Sequence, residues 1–554
     1  MTKLYLNKKF YHKDAIEEGL NDFSEIANGT ILDNDYNIEL QPLNNIPNLE
    51  EEFSNYVLGL MKNKGLDMEK TPETFLGEGV SEEDEAQTEI DKEYIKNHCR
   101  SKKMGKQYLI TAETGDWVFL NENEYLLFTQ NRAEEDEGLF KKLLNNNILI
   151  DKNNLTHSIE TYKNKKDFIC QGTGLHIVVL TLRCDIKCQY CHASSRPLNK
   201  TEYDMDKETA KKVVDRILES PSTHIIIEFQ GGEPLLNFDV LKEIVEYARE
   251  KNKSYKKTVK FTVVTNLVNM DSEKLNYLTE NKINICTSLD GPRELHNKTR
   301  QCYDNVINWI KEIKKLHDAG KVSGPPHALL TVARAHLSYP TEIIEEYIEQ
   351  GYDRINLRAI NQLGDARNKL DEIYYSIEEF LDFWRKAMDY ILEKNRNGQY
   401  FVERKTRIIL KKLYNKHDPN FLDLRSPCGA VIGQLLYNHN GKIYTCDEGR
   451  MLGEDDLFCI GTVDQNYSEF TTNSTSCAII AASVNDTHYC DKCVYKPFCG
   501  LCPVLNYATS GSLVCNVPSS DWCKLHYAQF EYVFEKLREP ENKKVFDSWL
   551  KDPY

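Results

Sequence analysis

The feature that most constrains the fold is an alternation of apolar and amphipathic segments through the middle of the chain. Six short, nearly continuous apolar runs are separated by segments with the helical spacing of apolar residues. The runs are 176–182, 223–230, 259–265, 283–289, 327–333 and 354–360. Strands that are apolar on both faces and alternate with helices predict a parallel sheet covered by helices. Because a closed barrel of this kind has eight units, six units predict an α/β fold with a partial, open (β/α)6 TIM-like barrel.

The first predicted strand leads into the segment TLRCDIKCQYCHAS (181–194), which holds Cys184, Cys188 and Cys191 as C-x3-C-x2-C. No G-x-G-x-x-G follows this strand, which disfavours a dinucleotide-binding Rossmann domain. Closed zinc sites use four ligands, commonly in C-x2-C pairs from separate turns. Three thiolates in one tight loop can instead hold three irons of a 4Fe–4S cluster and leave the fourth iron open. We therefore expect an iron–sulfur cluster, rather than zinc, at the carboxyl end of the first strand.

Cysteine usage and charge narrow the class of protein. The chain of 554 residues has 17 cysteines and a net charge of −16. Its first residues, MTKLYLNKKF, lack the apolar core of a secretory signal, and no apolar run approaches the length of a membrane span. We expect a cytoplasmic protein with no membrane partner, whose cysteines serve metal or redox chemistry rather than disulfides. The negative charge argues against a nucleic-acid partner, because such a partner needs a basic surface.

The length predicts two to four domains. We expect an N-terminal region (1–165), the barrel (166–400), a cysteine-rich domain (401–530) and a helical tail (531–554) of one or two amphipathic helices. The acidic run 82–93 is expected to be solvated. Within 108–150, alternating apolar positions around a Thr-Gly-Asp turn are followed by a helical pattern and a short apolar strand. This order predicts a small winged-helix unit.

Ten of the cysteines follow residue 427, in a region where signals for regular structure are sparse. Their pattern is C-x12-G-x4-C, then C-x2-C-x5-C-x2-C, then two more cysteines. The cysteines in this pattern are Cys428, Cys446, Cys490, Cys493, Cys499, Cys502, Cys515 and Cys523. Metal is expected to hold such a region together. Because this number exceeds what one zinc ion needs, we expect two metal sites, with a zinc ribbon as the alternative.

The three-cysteine loop and the motifs around it resemble the radical S-adenosylmethionine (SAM) superfamily. Tyr190 stands before the third cysteine, GGEP (231–234) ends the second predicted strand, and SLDGP (288–292) follows the fourth. The resemblance covers about residues 170–530. It implies that the open iron binds SAM through the amino and carboxylate groups of the cofactor. One electron then cleaves SAM to a 5′-deoxyadenosyl radical, which abstracts a hydrogen atom from the substrate.

The resemblance also implies which residues contact SAM. The GGEP motif would contact the amino group, Ser288 would make a polar contact, and Arg300 would bind the carboxylate. An arginine suits a carboxylate because its planar fork matches it. The strand INLR (355–358) resembles the strand on the adenine side. The cofactor-binding residues expected are Tyr190, Gly231, Gly232, Glu233, Pro234, Thr265, Asn266, Ser288, Arg300 and Arg358, with Asn356 beside the last.

The cysteine-rich region resembles the SPASM domain of radical SAM peptide maturases, which carries two auxiliary 4Fe–4S clusters and would bring the total to three. The resemblance implies that the nearer auxiliary cluster takes Cys428, Cys446 and Cys502. Its fourth ligand is open between Cys459, Cys477, Cys515 and no protein thiol. The distal cluster would take Cys490, Cys493, Cys499 and, rather than Cys515, Cys523. The last spacing is x2 where the family has x3, which weakens the assignment at Cys502.

Asp447 directly follows Cys446, at a position where some relatives have a catalytic base; a solvated loop carboxylate is the alternative. The segments CGLCP and CDEGR are similar to those of His-Xaa-Ser-type maturases. The 108–150 unit resembles a PqqD-like element that binds precursor peptides, and a small domain that only packs on the barrel is the alternative.

The expected function is therefore radical SAM modification of a ribosomally synthesised precursor peptide, with an electron donor such as flavodoxin or ferredoxin. Two alternatives are left open. The first is a radical SAM maturase of a folded protein such as a sulfatase, and the second is a zinc-stabilised binding module without catalysis.

Overall fold

The computed structural model describes residues 94–322, 324–453 and 456–552, together with short segments of the first 42 residues. The chain forms two compact units, 1–92 and 93–554. In the first unit, β1 (Thr2–Tyr5), β2 (Ala27–Ile31) and β3 (Asn37–Pro42) form an antiparallel sheet with β3 in the centre. The acidic run 82–93 lies outside the described residues. The division predicted within the second unit stays a prediction.

The second unit begins with a small α/β segment. Its strands are β4 (Tyr94–Lys96), β5 (Cys99–Met104), β6 (Gln107–Ala112), β7 (Trp117–Leu120) and β8 (Leu149–Asp151). Its helices are α1 (Glu122–Thr129), α2 (Glu137–Asn145) and α3 (Leu155–Lys166). Strands β5, β6 and β7 form an antiparallel sheet in that order, and β4 pairs with β8. The hairpin predicted around the Thr-Gly-Asp turn corresponds to β6 and β7, and the predicted helix and short strand correspond to α2 and β8.

The predicted parallel sheet is confirmed. The first five predicted strands correspond to β9 (Leu175–Thr181), β10 (His224–Gly231), β11 (Thr258–Val264), β12 (Ile283–Ser288) and β13 (His327–Val332), and the sixth corresponds to β14 (Arg354–Ile355) and β15 (Leu357–Ala359). Strands β9 to β13 and β15 are parallel neighbours in the order β9, β10, β11, β12, β13, β15. The sixth predicted strand is interrupted at Asn356, because its first half, β14, pairs instead with β16 (Val402–Glu403). The carboxyl ends of the strands therefore share one rim.

Helices cover the outer face of this sheet. They are α4 (Lys207–Leu218), α5 (Phe238–Tyr255), α6 (Ser272–Glu280), α7 (Arg293–Thr299), α8 (Tyr303–Asp318), α9 (Pro340–Glu349), α10 (Leu370–Ile373), α11 (Ile377–Arg396) and α12 (Arg404–Tyr414). Several begin at a side-chain cap: Asp206 accepts a hydrogen bond from the Thr209 amide, and Asp271 accepts one from the Lys274 amide. Their apolar faces pack on Ile225, Ile227 and Phe229 of β10 and on equivalent residues of the neighbouring strands.

The cysteine-rich region contains more regular structure than its sequence predicts. Its strands are β17 (Gln434–Tyr437), β18 (Lys442–Tyr444) and β19 (Cys459–Thr462). Its helices are α13 (Asp447–Met451), α14 (Tyr467–Thr471), α15 (Ser474–Ala482), α16 (His488–Asp491) and α17 (Pro503–Ser510). Strand β17 pairs in parallel with β9, and β18 and β19 continue antiparallel, so the barrel sheet has nine strands. The cysteine-rich region is thus joined to the barrel by backbone hydrogen bonds at the strand that carries the three-cysteine loop.

The amphipathic tail forms α18 (Asp521–Leu537) and α19 (Pro540–Lys551), as predicted, although the expected boundary at residue 530 falls inside α18. Both helices pack on α11 and α12 around the fully buried Trp384 and Trp549. No helix in the described part of the chain is both long enough and apolar enough to cross a membrane.

Candidate active site

The three-cysteine loop lies at the carboxyl end of β9, and all three thiols are partly exposed. Backbone hydrogen bonds from the end of β10 hold the base of this loop. The Gly232 amide donates to the Thr181 carbonyl at 2.8 Å, and the Glu233 amide donates to the Arg183 carbonyl at 2.7 Å. The GGEP segment therefore fixes where the loop leaves the sheet.

Both glycines of that segment are required by the close approach of the two backbones. Gly231 has a φ of 140°, which favours glycine, and a Cβ there would lie 2.0 Å from the Thr181 carbonyl oxygen. A Cβ at Gly232 would lie 2.2 Å from the Arg183 carbonyl oxygen. Any side chain at either position would push the cysteine loop away from the rim.

The Glu233 carboxylate joins the ends of two neighbouring strands. It is fully buried and accepts hydrogen bonds from the Leu235 amide at 3.0 Å, the Thr265 hydroxyl at 2.8 Å and the Asn266 amide at 2.8 Å. Burial raises the pKa of Glu233 to about 7, although these hydrogen bonds oppose the shift. Pro234 begins the 3-10 turn Pro234–Asn237 behind it. Both carboxylate oxygens are engaged inside the protein, so Glu233 orders the rim at Thr265 and Asn266.

A second polar group at the rim consists of Tyr190, Asp290 and Arg300. The Tyr190 hydroxyl donates to Asp290, and Arg300 Nε donates to the Tyr190 oxygen at 3.2 Å and lies 3.6 Å from Asp290 Oδ2. Thr299 also donates to Asp290 Oδ2, at 3.2 Å. The two terminal nitrogens of Arg300 make no hydrogen bond to any of the described residues. The guanidinium is therefore held by one edge, and its outer fork is free to bind a carboxylate. Ser288 ends β12 two residues before Asp290 and is nearly buried.

Arg358, on β15, lies opposite the start of α13. Its Nη2 is 3.5 Å from Glu448 Oε1, and 48% of its side chain is accessible. Burial lowers the pKa of Arg358, but the carboxylates of Glu448, Asp423 and Asp447 outweigh it, so the pKa is raised. After burial, the charge of Arg358 is the largest cause of the lowered pKa of His192, which is about 4.

A further contact joins α13 to the cysteine loop. Arg450 Nη1 donates to the Ala193 carbonyl at 3.2 Å. Because Ala193 follows the third cysteine by two residues, the segment that carries Asp447 faces the rim of the barrel.

Three thiols of the cysteine-rich region lie together beside this segment. Cys446 caps α13, its sulfur accepting from the Gly449 amide at 3.3 Å, and Cys502 precedes α17, which packs on α13. Burial and then the charges of Glu448 and Cys428 raise the pKa of Cys502. Burial, Glu448, Asp447 and Cys502 raise the pKa of Cys446. We call Cys428, Cys446 and Cys502 the inner thiols.

The other five cysteines of the pattern form a second group. Burial and then Cys493, Cys523 and Cys490 raise the pKa of Cys499. Burial and then Cys493, Cys490 and Cys515 raise the pKa of Cys523 to about 11. We call Cys490, Cys493, Cys499 and Cys523 the outer thiols, and Cys515 lies at the edge of this group, where Cys490 is the thiol that raises its pKa.

The remaining candidates for a fourth ligand to the inner thiols differ in position, because Cys459 packs against the core that contains Cys428 and Cys446, as Cys502 does. Cys477 is exposed on α15 and donates to the Thr472 carbonyl at 3.7 Å, and Cys459 on β19 donates to the Gly461 carbonyl at 3.6 Å. Because Cys499 and Cys502 are three residues apart, the Cα atoms of the two groups approach within about 11 Å there.

The surroundings of the inner thiols suit an anionic iron–sulfur cluster. No group of three or more His, Cys, Asp or Glu side chains in the described ranges is arranged to hold one metal ion. A cubane cluster holds its thiolates farther apart than a tetrahedral ion does. Arg425 adds a second observation: it is buried, its Nε and Nη2 lack hydrogen-bond partners, and its charge lowers the pKa of Cys428 against the effect of burial. Such a buried cation suits an anionic cluster.

Sequence reasoning missed several residues of this site. They are Asp185, Asn269, Asp290, Asp423, Arg425 and Glu448. Asp185, Asp290 and Glu448 lie inside the motifs TLRCDIKCQYCHAS, SLDGP and CDEGR. Their place in these motifs is the sequence signal that could have identified them. The other three carry no local signal, because chain packing brings them to the site.

Comparison with known proteins places these observations in a family. Residues 178–326 match the family described as Radical SAM superfamily. A cysteine-type anaerobic sulfatase-maturating enzyme of Clostridium perfringens (strain 13 / Type A) is 24% identical over 367 residues, which are 64% of this chain and 94% of that protein. An uncharacterised protein of Methanothermobacter thermautotrophicus is 30% identical over 225 residues, 40% of this chain and 80% of that protein. The solved structure of native anSMEcpe with bound AdoMet and Cp18Cys peptide has a TM-score of 0.56 at 21% identity and covers 67% of this chain and 99% of that one.

Proposed function

Because the chain belongs to the radical SAM superfamily, we propose that it binds SAM at a 4Fe–4S cluster on Cys184, Cys188 and Cys191 and modifies a ribosomally synthesised peptide. The observation that carries this proposal is the position of the three-cysteine loop at the rim of six parallel strands, next to an arginine with a free outer fork. Three thiols leave one iron available for a ligand. When bound, the cluster and SAM supply one-electron cleavage of the cofactor and hydrogen abstraction from the substrate.

The residues of the rim would bind and orient SAM. Arg300 offers its two terminal nitrogens to the carboxylate, while Tyr190 and Asp290 hold the Nε edge. Gly231 and Gly232 leave no side chain between the cysteine loop and β10, and Glu233 fixes the backbone of Asn266. Pro234, Thr265 and Ser288 complete the rim. Arg358 lies on the side of the rim that faces α13, where adenine-side contact stays a prediction.

The cysteine-rich region would carry two auxiliary clusters on the inner and outer thiols. The two groups come close at Cys499 and Cys502, which are three residues apart, and auxiliary clusters there would pass electrons to or from the barrel cluster. Asp447 would accept a proton beside the inner thiols, since α13 faces the rim through Arg358 and Arg450. An electron donor such as flavodoxin or ferredoxin would supply the electron.

A peptide substrate is supported by the sheet that precedes the barrel. Strands β5 and β7 are the outer strands of their three-stranded sheet, and an extended peptide can add to such an edge. The solved structure of native anSMEcpe holds a bound Cp18Cys peptide, but it shares only 21% identity with this chain and so bears on the fold alone. A folded sulfatase is the second candidate substrate, and the sulfatase-maturating relative from Clostridium perfringens favours it.

Iron analysis tests the class of protein first. Anaerobically purified chain should be brown and contain about twelve irons. Changing Cys184, Cys188 and Cys191 together to Ala should remove about four irons and all SAM cleavage while the auxiliary clusters remain. A colourless protein with about two zinc ions would establish the binding-module alternative, and cleavage that survives the triple change would place the reactive cluster elsewhere.

Mass spectrometry then separates the two substrates. The chain should be co-expressed with a short peptide encoded beside its gene and, in parallel, with a sulfatase that carries an unmodified active-site cysteine or serine. A mass change in the peptide alone supports the proposal. A change in the sulfatase alone overturns the peptide assignment in favour of the second candidate.

A further inference from the structure

Asp185, between the first thiol and Ile186 of the cysteine loop, makes two contacts with the next loop of the rim. Its Oδ1 accepts a hydrogen bond from Asn266 Nδ2 at 2.6 Å, and its Oδ2 accepts one from Asn269 Nδ2. Both asparagines lie between β11 and α6. One carboxylate thus joins the cysteine loop to a loop 81 to 84 residues away in the chain.

The oxygen of the Asn266 side-chain amide is held by a group other than Asp185. Its Oδ1 accepts from the Val268 amide at 2.8 Å, and its own backbone amide donates to Glu233 at 2.8 Å. Because the oxygen is already engaged, the Nδ2 group faces the cysteine loop, and its 2.6 Å hydrogen bond to Asp185 Oδ1 fixes its place beside the Cys184 sulfur. Asn266 is also nearly buried, with 6% of its surface accessible, so water does not compete for these bonds.

The two hydrogens of that Nδ2 group meet two acceptors. One is Asp185 Oδ1, and the other is the Cys184 sulfur at 3.7 Å. A thiolate bound to iron and a carboxylate are both anionic, and they stand on adjacent residues. An amide between them offsets their repulsion, and hydrogen bonds to ligand sulfurs raise the reduction potential of a cluster.

We propose that Asp185 is a positioning residue that holds the Asn266 amide on the Cys184 sulfur and thereby sets the reduction potential of the barrel cluster. This inference rests on the proposed function, because it takes Cys184 as a cluster ligand. Asn269 supports the same carboxylate from its other oxygen. Neither Asp185 nor Asn269 contacts the reacting atoms.

A double-mutant cycle on the reconstituted full chain tests the coupling. The potential of the barrel cluster is measured by redox titration followed by electron paramagnetic resonance. Its signal is identified as the one missing from the Cys184, Cys188 and Cys191 triple Ala variant. In the wild-type background, Asn266→Ala should lower the potential, because it removes the N–H donor and leaves two anions side by side. In the Asp185→Ala background, Asn266→Ala should cause little further change, because the amide is no longer held on the sulfur.

The rate of iron loss to a chelator gives a second readout in the same variants. Each single variant should lose barrel-cluster iron several-fold faster than wild type, and the double variant no faster than the worse single one. Lys187→Ala is the matched control, since Lys187 is exposed in the same loop, and it should change neither quantity.

An equal shift on Asn266→Ala in both backgrounds would overturn the proposal, as would no shift in either. Should Asp185→Ala fail to fold, Asn269→Ala takes its place in the cycle and leaves the carboxylate present. A chain that holds no iron in any variant would refute the proposed function instead, so the two failures are distinguishable.

Discussion

At the scale of single residues, the rim depends on groups that allow or enforce close approach. Two glycines let β10 approach the backbone before Cys184, and two buried residues, Tyr190 and Asp290, hold the Nε edge of Arg300. These roles differ from direct cofactor contact, which the family resemblance implied for the GGEP motif. In this chain both carboxylate oxygens of Glu233 accept hydrogen bonds from the protein. Replacing Glu233 should therefore disorder the rim rather than remove a contact to the cofactor.

Replacing Gly232 by Ala should dislodge the cysteine loop. A Cβ would stand 2.2 Å from the Arg183 carbonyl oxygen and 2.5 Å from that of Leu182, and backbone atoms cannot rotate away. We expect the loss of about four irons per chain, measured by iron analysis after reconstitution. Gly324→Ala is the control, because a Cβ there meets nothing within 4 Å. Full iron content in the Gly232 variant would contradict this reading of the motif.

Replacing Asp290 by Asn should weaken SAM binding and leave the cluster intact. The change removes the negative charge that faces Arg300 Nε, while the amide oxygen of Asn can still accept hydrogen bonds from Tyr190 and Thr299. A charge-assisted bond contributes about 1.5–3 kcal/mol, so we expect the dissociation constant for SAM to rise at least about tenfold in equilibrium titration. Asp304→Asn, in an exposed pair with Arg293, should leave it unchanged. An unchanged affinity for SAM in the Asp290 variant would show that Arg300 does not depend on Asp290 for its position.

At the scale of elements, three helix starts place cysteines. Cys446 caps α13, Cys502 precedes α17, and Cys523 lies in the first turn of α18, where the Ser520 hydroxyl accepts from its amide at 3.2 Å. A thiol in a first helical turn has a fixed backbone, while Cys515 lies in an irregular segment. The helical cysteine is therefore the better-positioned ligand.

Changing Cys523 to Ser should remove up to about four irons, whereas changing Cys515 to Ser should leave about twelve. The physical reason is that Cys523 faces both Cys493 and Cys490, while Cys515 lies at the edge of the group. Iron analysis and the visible absorption of each variant measure the difference. Cys170→Ser, at an exposed cysteine, controls for the loss of any thiol. The opposite ranking of the two variants would exchange the assignments.

At the scale of the whole second unit, an aromatic cluster joins the sheet of β5, β6 and β7 to the cysteine-rich region and the helical tail. The buried ring of Phe534, on α18, contacts Trp117 and Phe119 of β7 at centroid distances of 5.2 and 6.2 Å. The centroid of the same ring lies 5.9 Å from that of Tyr495 and 6.1 Å from that of Phe498. These two residues stand in the sequence between the outer thiols Cys493 and Cys499. Thr111 of β6 also donates to the Val494 carbonyl at 2.7 Å. The sheet and the outer thiols thus share one core.

Truncating Phe534 to Ala should cost about 3–5 kcal/mol of unfolding free energy, because the cavity would lie among rings from three segments. Denaturant unfolding followed by tryptophan fluorescence measures the cost, and the outer cluster should lose iron before the barrel cluster does. Tyr489→Ala is the control, because 56% of that side chain is exposed. Simultaneous loss of all clusters would show that the unit has no such local weak point.

Local pattern accounted for much of the fold and for part of the site. The six strands follow from runs of buried β-branched and apolar residues, whose period and length are properties of the sequence itself. The extension of the sheet by β17 could not be predicted from the sequence. The segment QLLYNHNGKIY has the pattern of a hairpin, and no local feature indicates which strand of the barrel it pairs with. Likewise, the spacing of the cysteines predicts metal sites. It does not distinguish Cys515 from Cys523 as the last ligand, whereas the structure places Cys523 in the first turn of α18.

The sequence by itself determined the six strands of the parallel sheet and the three-cysteine loop, because spacing along a strand or loop fixes which side chains share a face or a turn. The division of the further cysteines into two groups came from the family resemblance. Only the tertiary structure decided that Asp185 meets Asn266, that Asp290 anchors Arg300 and that Arg358 faces Glu448. These contacts join residues 10 to 90 positions apart, and the packing of whole elements brings them within a few ångströms. The local pattern of apolar and polar residues does not encode such contacts.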